Sequence, residues 1–454
     1  LVYKDGNVKD DEVNEIKTSS PEDLIYEGFN QIETTLQNFL VTGKPGTGKS
    51  VLTRALLNDG LKNYTVAAPT GLAALNAKGR TLHSIFRLPS SRGIIAPDYN
   101  LFTQDQKTRD AIKYGLKGPL IIDEISMVRA DLFDFIDRLL RDCKGVDLPF
   151  GGIQVMFVGD LFQLPPVVSQ ADMQVLAERG YEGPYFFCAM ALHRKDVTMV
   201  ELSKIFRQKD VHFAGLLNQI RINQDIDEAL DTLNAVCYET KKEIDEQTIT
   251  LTTTNARADQ INHAGLRALT TEAKVYTGNS TGKFNVDDRN LPSPNHLSLK
   301  VGAKVMFTAT DSNFPKRWVN GTIGVVRELL PNTVKVMVQN GPYSNTVEVK
   351  GHQWESYRYD HDMMSGKISP NIIGTFVQIP LMLAWAVTIH KSQGKTLEKI
   401  KVDLSSGAFA SGQVYVALSR CTSIEGITLE RPIQPKDVSC DQEVKRFYLN
   451  CLPS

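Results

Sequence analysis

Short apolar runs that end in small, hydroxyl-bearing or acidic residues recur in the first half of the chain. They are Phe39-Leu-Val-Thr, Thr65-Val-Ala-Ala, Leu120-Ile-Ile-Asp and Val155-Met-Phe-Val-Gly-Asp. Such runs are typical of strands buried on both faces of a parallel sheet. Between them, segments such as 132–140 repeat apolar residues at the three- and four-residue spacing of an amphipathic helix. This alternation predicts a doubly wound α/β lobe over residues 1–200.

A second alternating region begins at Thr248-Ile-Thr-Leu-Thr-Thr-Thr and resumes at Thr375. Residues 201–275 and 370–454 therefore predict a second α/β lobe, which is interrupted in its middle. The expected fold class is α/β, with two parallel-sheet lobes.

Two segments break the alternation and predict insertions. Residues 87–118, on the first lobe, are rich in Pro, Gly, Ser and scattered charges. Residues 276–369, in the second lobe, contain β-rich runs such as Thr333-Val-Lys-Val-Met-Val, and Asn320-Gly321 is a hairpin signal. The second insertion is therefore expected to be a small antiparallel β unit.

The composition is that of a globular protein with more than one domain. The 454 residues are 42% hydrophobic and 23% charged, and the formal net charge is −1. This charge balance excludes a simple basic DNA-coating protein, so that any DNA groove has to be a local feature. The longest apolar stretch, residues 379–389, contains Pro380 and falls short of the roughly 18 residues of a membrane span. We expect no membrane segment.

The cysteines and the start of the chain bear on the compartment. The six cysteines form no CxxC pair and have no His at zinc-finger spacing, so reduced structural thiols are expected. Residues 1–21 are polar, so no signal peptide is expected, and a removed targeting segment is the alternative. The expected location is the cytoplasm or nucleoid of a bacterium, or the nucleus or mitochondrion of a eukaryote, without secretion.

A phosphate-binding loop is the strongest motif in the sequence. Gly43-Lys-Pro-Gly-Thr-Gly-Lys-Ser matches G-x-x-x-x-G-K-[ST], with a predicted strand before it and a predicted helix after it. Backbone N–H groups of such a loop bind phosphate oxygens, Lys49 reaches the β- and γ-phosphates, and Ser50 ligates Mg²⁺. The expected cofactors are ATP and Mg²⁺. The expected contacts in this loop are Gly43, Pro45, Gly46, Thr47, Gly48, Lys49 and Ser50.

Acidic and amide side chains follow the next strands. The run Leu120-Ile-Ile ends at Asp123 and Glu124, which suit the magnesium shell and the general base for water. The run ending at Gly159 is followed by Asp160 and Gln163, which could sense the γ-phosphate and the attacking water. The alternatives are a solvated helix N-cap for the first pair and a turn stabilised by Asp160 for the second.

Two arginines are candidates for stabilising the charge that develops on the transferred phosphate. Arg207 lies in Leu202-Ser-Lys-Ile-Phe-Arg-Gln, and Arg420 lies at the end of a predicted helix that leaves it exposed. A surface salt bridge is the alternative for either one. Gly394 is counted with the expected nucleotide contacts.

Clusters of hydroxyl, imidazole and small residues follow strands in both lobes and predict contacts to a DNA backbone. In the first lobe they are Pro69, Thr70, Gly71, Thr81, His83 and Phe86. In the second lobe they are Thr388, His390, Lys391 and Ser392. Phe86 offers a face for base stacking. Core packing is the alternative for His83 and Phe86, and an ordinary helix start is the alternative for Ser392.

The ordered set of motifs resembles the PIF-type (petite integration frequency) DNA helicases, relatives of the RecD-like branch of superfamily I. The most specific stretch is Pro149-Phe-Gly-Gly-Ile-Gln-Val-Met-Phe-Val-Gly-Asp-Leu-Phe-Gln-Leu-Pro-Pro. It occurs together with Ile389-His-Lys-Ser-Gln-Gly and Val416-Ala-Leu-Ser-Arg. The resemblance runs from Phe39 to the end of the chain.

The resemblance implies two RecA-like lobes and an ATP-dependent DNA helicase that moves from 5′ to 3′ on single-stranded DNA. It implies unwinding of duplexes, forks, RNA–DNA hybrids and G-quadruplexes, with roles in repair, recombination and telomere maintenance. It further implies a strand-separating wedge in 87–118, an SH3-like domain in 276–369, and a monomer that can dimerise on DNA. One departure concerns the adenine-reading Gln of the family, because Gln31 and Gln37 both lie near the expected position and neither is a clear match.

Other functions remain open at this level. An RNA helicase, or a helicase-like subunit of a nuclease or relaxase, would share the phosphate site. A nucleotide-gated nucleic-acid-binding switch without translocation is an alternative of a different class. Glu124 and the paired arginines favour hydrolysis over mere binding, and the sequence shows no second catalytic constellation for a nuclease or relaxase.

Overall fold

The computed structural model describes most of the chain from Asn38 onward. The described residues are 38–58, 64–70, 73–74, 77–86, 88, 94, 106–116, 118–192, 197–202, 204, 210–240, 248–282, 284, 291–313, 316–340, 343–361 and 368–451. The chain divides into two compact units. Unit 1 comprises 1–209, 360–369 and 440–454, and unit 2 comprises 210–359 and 370–439.

Unit 1 is built on one parallel sheet. Its strands are β1 (Asn38–Gly43), β2 (Thr65–Ala68), β3 (Arg80–Thr81), β4 (Leu120–Ile122), β5 (Val155–Val158) and β6 (Val197–Leu202). The sheet order is β3-β2-β4-β5-β1-β6, and all neighbouring strands run parallel. In a parallel sheet the carboxyl ends of all strands lie at one edge. This edge therefore collects the residues that follow β1, β4 and β5.

The helices of unit 1 cover this sheet or lie beside it. They are α1 (Lys49–Asn58), α2 (Leu82–Phe86), α3 (Gln106–Gly115), α4 (Ala130–Lys144) and α5 (Gln170–Glu178). Helix α4 buries Leu132, Phe135, Ile136, Leu139 and Leu140, as its apolar spacing predicts. It ends at a left-handed glycine cap, where the Gly145 N–H donates to the Arg141 carbonyl at 2.9 Å.

The predicted insertion at 87–118 contains helix α3, and much of the rest of it lies outside the described residues. Helix α3 packs against α4. The Lys144 ammonium donates to the carbonyls of Lys113 and Leu116, each at 2.7 Å. These bonds satisfy carbonyl groups that have no partner within the last turn of α3. The strand-separating role of the insertion stays a prediction.

Unit 2 contains a second parallel sheet. Its strands are β7 (Ile249–Thr252), β18 (Ala386–Thr388), β19 (Ile400–Asp403) and β20 (Ile427–Leu429), in the order β18-β7-β19-β20. Its helices are α6 (Val211–Ile222), α7 (Ile226–Asn234), α8 (Asn255–Ala268), α9 (Ile389–Ser392) and α10 (Gln413–Leu418). The predicted α/β class with two parallel-sheet lobes is confirmed.

The β insertion is composed of antiparallel sheets. Its strands are β8 (Lys274–Thr277), β9 (Asn279–Gly282), β10 (His296–Leu299), β11 (Lys304–Phe307), β12 (Ile323–Leu329), β13 (Thr333–Asn340), β14 (Tyr343–Lys350), β15 (His352–His361), β16 (Ile368–Gln378) and β17 (Leu381–Leu383). The orders are β14-β13-β12-β11-β17, β10-β8 and β15-β16-β9. Alternate valines of β12, β13 and β14 fill one core.

The Asn320-Gly321 pair forms a turn, closed by a 3.0 Å bond from the Thr322 N–H to the Val319 carbonyl. The antiparallel pairing that this hairpin signal predicts is observed in β11–β14, although the pair itself does not close the β11–β12 pairing. The pairing continues beyond it, because the Asp311 N–H donates to the Trp318 carbonyl at 3.1 Å. The Asp311 carboxylate closes the tip instead, accepting from Nε of Arg317 at 2.6 Å.

The last helix, α11 (Gln442–Cys451), belongs to unit 1. This assignment differs from the predicted second lobe, which included all of 370–454. Helix α11 packs on unit 1 through an aromatic contact that the local sequence does not predict. The Phe447 ring stacks on Phe187 with centroids 4.3 Å apart. Among the described residues, no helix combines the length and apolar character needed to cross a membrane.

Candidate nucleotide and nucleic-acid site

The phosphate-binding loop joins β1 to α1 at the carboxyl edge of the unit 1 sheet. The loop turns through left-handed φ values of +80° at Gly46 and +92° at Gly48, which glycine adopts without strain. Helix α1 then begins at Lys49. Its first N–H groups have no partner within the helix and carry the positive end of the helix dipole, so they suit an anion.

Lys49 is held directly over this loop. Its ammonium donates to the carbonyl of Gly43 at 2.6 Å and to that of Lys44 at 2.9 Å. The Thr47 hydroxyl donates to the same Lys44 carbonyl at 2.8 Å, which fixes the turn. Ser50 is exposed in the first turn of α1, where its hydroxyl is available to a cation. These donors fit a polyphosphate with its magnesium ion.

Asp123 follows β4 and faces the same edge. Burial raises the pKa of its carboxyl group, while a 2.9 Å hydrogen bond from the Glu124 N–H and the charge of Lys49 act in the opposite direction. The influence of Lys49 indicates that the loop after β1 and the carboxylate after β4 share one environment. A bound cation would favour the ionised form of Asp123 further.

Glu124 has a left-handed backbone, with φ of +52° and ψ of +45°. For a residue with a side chain this conformation costs on the order of 1–3 kcal/mol, and such residues concentrate at functional sites. The chain continues into a 3-10 turn at Ile125–Met127 that packs closely on Gly159. The solvated N-cap proposed as the alternative does not describe this arrangement, because the Glu124 side chain makes no capping hydrogen bond.

Asp160 and Gln163 follow β5, which lies between β1 and β4 in the sheet. The Asp160 side chain is fully buried and accepts hydrogen bonds from the Phe162 N–H at 3.2 Å and from Nε2 of Gln163 at 3.5 Å. Asp160 therefore stabilises the turn, as the structural alternative supposed. That same turn holds Gln163 at the carboxyl end of β5, the strand that pairs with β1.

Of the two candidate arginines, the structure describes only Arg420. Arg207 lies outside the described residues. Arg420 was expected to be exposed and is buried instead, with 1% of its surface accessible. Every residue of α10 is buried, so the end of this helix does not reach a polar surface. The Arg420 guanidinium donates to the Val416 carbonyl and to the Ser419 hydroxyl, both at 2.9 Å.

Gly394, another expected nucleotide contact, is exposed, with φ of +75°.

The nucleic-acid candidates of unit 1 occupy two turns. The Thr70 hydroxyl accepts from the Ala73 N–H at 3.2 Å, and Pro69 before it is half-buried. Gly71 lies outside the described residues. The Thr81 hydroxyl caps α2 by accepting from the Ser84 N–H at 3.1 Å. His83 is exposed in the first turn of that helix and remains a candidate.

Phe86 is not a stacking platform. Its side chain is fully buried, with 0% of its surface accessible. Helix α2 buries Leu82, Ile85 and Phe86 together, since residues three and four apart share one face. The core-packing alternative is therefore correct for this residue.

In unit 2 the candidates surround the start of α9. The Thr388 hydroxyl caps the helix, accepting from the Lys391 N–H at 3.4 Å. Burial lowers the pKa of His390, so its imidazole is neutral near pH 7, whereas Lys391 is exposed. Ser392 is fully buried and its hydroxyl donates to the Ile389 carbonyl at 2.7 Å. The expected DNA contact by the Ser392 hydroxyl is wrong, because the helix start uses that group.

Asp137 anchors the loop that precedes β5, a structural role that was missed from sequence. It lies on the buried side of α4, and its carboxylate accepts from the Phe150 N–H at 2.6 Å and from Nε of Arg141 at 2.8 Å. Phe150 has a positive φ of 53° and packs edge-to-face on Phe133 at 5.2 Å. Asp137 thus anchors the loop that leads into β5. An acidic residue inside an apolar helical stripe was the available signal.

The loop anchored by Asp137 gives a stability prediction. At Gly151, φ is +63° and a Cβ atom would lie 2.6 Å from the Leu140 carbonyl oxygen. Gly151→Ala is therefore expected to lower the free energy of unfolding by about 2–4 kcal/mol. Gly145→Ala is the matched control, because Gly145 has φ of +67° with no atom within 4 Å of its Cβ position. It should cost only about 1 kcal/mol. Urea unfolding followed by circular dichroism would measure both, and equal losses would contradict the steric argument.

Comparisons with known proteins identify related helicases. The profile of the PIF1-like helicase family matches residues 23–229. The ATP-dependent DNA helicases PIF1 of Emericella nidulans and Homo sapiens are 30% and 32% identical, each over 91% of this chain and 61% of its own length. The Pif1 of Bacteroides sp, solved in complex with ADP-AlF4, is 38% identical over 94% of this chain and 96% of that chain, with a TM-score of 0.81.

The chain belongs to the PIF1-like helicase family. The Pif1 helicase of Candida albicans is 29% identical over 96% of this chain and 100% of that chain, with a TM-score of 0.71. The family predicted from the motifs is thereby confirmed. The chain spans about three fifths of the length of the curated relatives it matches.

Proposed function

We propose that this chain is an ATP-dependent DNA helicase that translocates on single-stranded DNA. The observation that carries the proposal is the carboxyl edge of the unit 1 sheet, where Lys49, Asp123, Glu124 and Gln163 follow β1, β4 and β5. The relatives support it: curated family members are named ATP-dependent DNA helicases, and Bacteroides Pif1 has been solved bound to single-stranded DNA. Another solved Pif1 helicase is described as a structural basis for DNA unwinding at forked double-stranded DNA.

Each group at this edge has a role in ATP hydrolysis. Ser50 and Asp123 would hold Mg²⁺, which neutralises phosphate charge when it is bound. Lys49 and the N–H groups at the start of α1 bind the β- and γ-phosphates. Glu124 accepts a proton from water as the water oxygen attacks the γ-phosphorus, and the bond to the ADP oxygen breaks. Gln163 orients that water, and Arg207 stabilises the developing negative charge. Arg420, which is buried and donates to Val416 and Ser419, is not assigned to this step.

The finer proposals concern the nucleic acid. Translocation from 5′ to 3′ and unwinding of duplex, forked, RNA–DNA hybrid and G-quadruplex DNA follow the family resemblance. Pro69, Thr70, Gly71, Thr81 and His83 in unit 1, with Thr388, His390 and Lys391 in unit 2, would contact the backbone. The same proposal includes a wedge within 87–118, an SH3-like fold of 276–369 and a monomer that dimerises on DNA. It also includes a nucleoid, nuclear or mitochondrial location.

The choice between DNA and RNA can be tested by ATPase stimulation. Purified protein is assayed with saturating Mg-ATP and with single-stranded DNA or RNA of one sequence and length. We expect DNA to raise turnover at least tenfold more than RNA does. Equal or greater stimulation by RNA would contradict DNA as the preferred substrate and would favour an RNA helicase. Binding of both polymers without stimulated turnover would favour a nucleotide-gated switch.

Lys391 gives a prediction about the DNA contact. Because His390 is neutral near pH 7, the salt-dependent part of this contact should come from the exposed Lys391 ammonium. Lys391→Ala should reduce the slope of log Kd against log salt by about 0.7–1, the value for one phosphate contact. Fluorescence anisotropy of labelled single-stranded DNA at several salt concentrations would measure it. Lys399→Ala is the control, since Lys399 is exposed just before β19, at the opposite edge of the sheet. An unchanged slope for Lys391→Ala would remove this residue from the DNA track.

A further inference from the structure

The C-terminal helix contacts the segment that carries Gln163. The chain leaves unit 2 at Ser439 and enters unit 1 at Cys440, immediately before α11. The Tyr448 ring of α11 meets Phe162 edge-to-face, with centroids 5.1 Å apart and planes at 76°. Phe162 lies between Asp160 and Gln163, and its N–H donates to the Asp160 carboxylate. Tyr448 therefore packs directly on the turn that orients Gln163.

The Tyr448 hydroxyl contacts a second part of the same edge. It lies 2.8 Å from both carboxylate oxygens of Glu201, which is 247 residues away in the chain. Glu201 is in β6 and pairs with Thr42, the residue before the first glycine of the phosphate-binding loop. A hydrogen bond from a hydroxyl to an ionised carboxylate is stronger than one between neutral groups. One side chain thus touches the turn after β5 and the strand beside β1.

The rest of α11 is firmly attached, so that Tyr448 is held in place. Phe447 is 2% exposed and stacks on Phe187 at 4.3 Å with nearly parallel rings. Before the helix, the Asp441 carboxylate accepts from the Tyr185 hydroxyl at 2.6 Å. Val444 is 4% exposed on the same face. The helix is anchored by Phe447, Val444 and Asp441, and Tyr448 is the member of this face that reaches the Gln163 turn.

We propose that Tyr448 is a positioning residue for ATP hydrolysis, which acts through Phe162 on Gln163. The inference rests on the proposed function of the same site. Removing the ring leaves a gap beside Phe162, and the buried turn can then shift into it. A displacement of about 1 Å at a group that aligns the reaction can lower the rate by as much as ~100-fold. The phosphate contacts of Lys49 and α1 do not involve this turn, so the affinity for ATP should change little.

The test compares kcat with the KM for ATP under saturating single-stranded DNA. Tyr448→Ala is expected to lower kcat about tenfold while KM changes less than threefold. Tyr448→Phe keeps the ring on Phe162 and should restore kcat to within about threefold of the wild type. Leu449→Ala is the control on the same helix, because Leu449 is 55% exposed, and its kinetics should match the wild type. Tyr448→Leu, which fills more of the gap, serves as the truncation if Tyr448→Ala does not fold.

Several outcomes would overturn the inference. In the first, the wild type shows DNA-stimulated turnover, and the folded Tyr448→Ala or Tyr448→Leu variant keeps kcat within twofold of it. Another is a loss of kcat in the truncation variant that Tyr448→Phe does not reverse. A third is a loss that only follows the fraction of folded protein, measured by circular dichroism. A wild-type protein without DNA-stimulated turnover would overturn the proposed function itself, and that result is distinguishable from the other three.

Discussion

Lys49→Ala is expected to lower DNA-stimulated ATP hydrolysis by at least ~100-fold, which is the scale of losing one preorganised charge at a transferring phosphate. The ammonium is held over the phosphate-binding loop by the carbonyls of Gly43 and Lys44. Among the side chains expected to contact the phosphates from this loop, Lys49 supplies the positive charge. Affinity for single-stranded DNA should remain within about threefold, because the proposed DNA contacts lie on other turns.

Steady-state ATPase assays and anisotropy with labelled single-stranded DNA would measure these two effects on the same preparation. Arg54→Ala is the matched control, because Arg54 is an exposed cation on the same helix, α1. Its turnover should equal that of the wild type. Turnover above a tenth of the wild-type value in Lys49→Ala would contradict the assignment of the phosphate site.

Glu124→Gln should separate nucleotide binding from hydrolysis. The amide keeps the size of the side chain but cannot accept the proton of the attacking water, so turnover should fall by about 10²–10⁴-fold. Binding of ATP should stay within about threefold, since Lys49, Ser50 and the start of α1 are unchanged. Both Glu and Gln have to adopt the left-handed backbone at this position, where φ is +52°. The substitution therefore leaves the backbone strain unchanged.

The measurement for Glu124→Gln is binding of a fluorescent ATP analogue together with single-turnover hydrolysis. Met127→Leu is the control, because Met127 is half-buried in the 3-10 turn that follows Glu124 and its thioether takes no part in proton transfer. This exchange of similar volumes should leave turnover unchanged. Hydrolysis within threefold of the wild type in Glu124→Gln would assign the general base to another group.

Local motifs explain why much of the unit 1 site could be predicted. The phosphate-binding loop is contiguous in sequence, and Asp123 and Gln163 each follow a short apolar run of the kind that predicts a buried strand. Their meeting at one edge follows from parallel strand direction alone. The left-handed backbone of Glu124 could not be predicted, because a residue with a side chain rarely adopts a positive φ and nothing in the local sequence signals it.

The errors arose where distant packing overrides the local pattern. Arg420 was expected to be exposed because its helix looks amphipathic, but every residue of α10 is buried. Phe86 and Ser392 have side chains suited to DNA, and both are used inside the fold. The assignment of α11 depends on Phe447 meeting Phe187, a contact between residues far apart in the chain. The Phe447–Phe187 contact leaves no periodic trace in the sequence, whereas Phe86 shares the helical spacing of Leu82 and Ile85.

Strand displacement tests the central claim most directly. Duplexes with a single-stranded tail at either the 5′ or the 3′ end are incubated with protein and Mg-ATP, and the released strand is followed by fluorescence. The wild type should release the strand from the 5′-tailed duplex at a rate that depends on ATP, and Glu124→Gln should release none. ATP-dependent release only from the 3′-tailed duplex would contradict the polarity. DNA-stimulated ATP hydrolysis without release from either duplex would contradict the helicase.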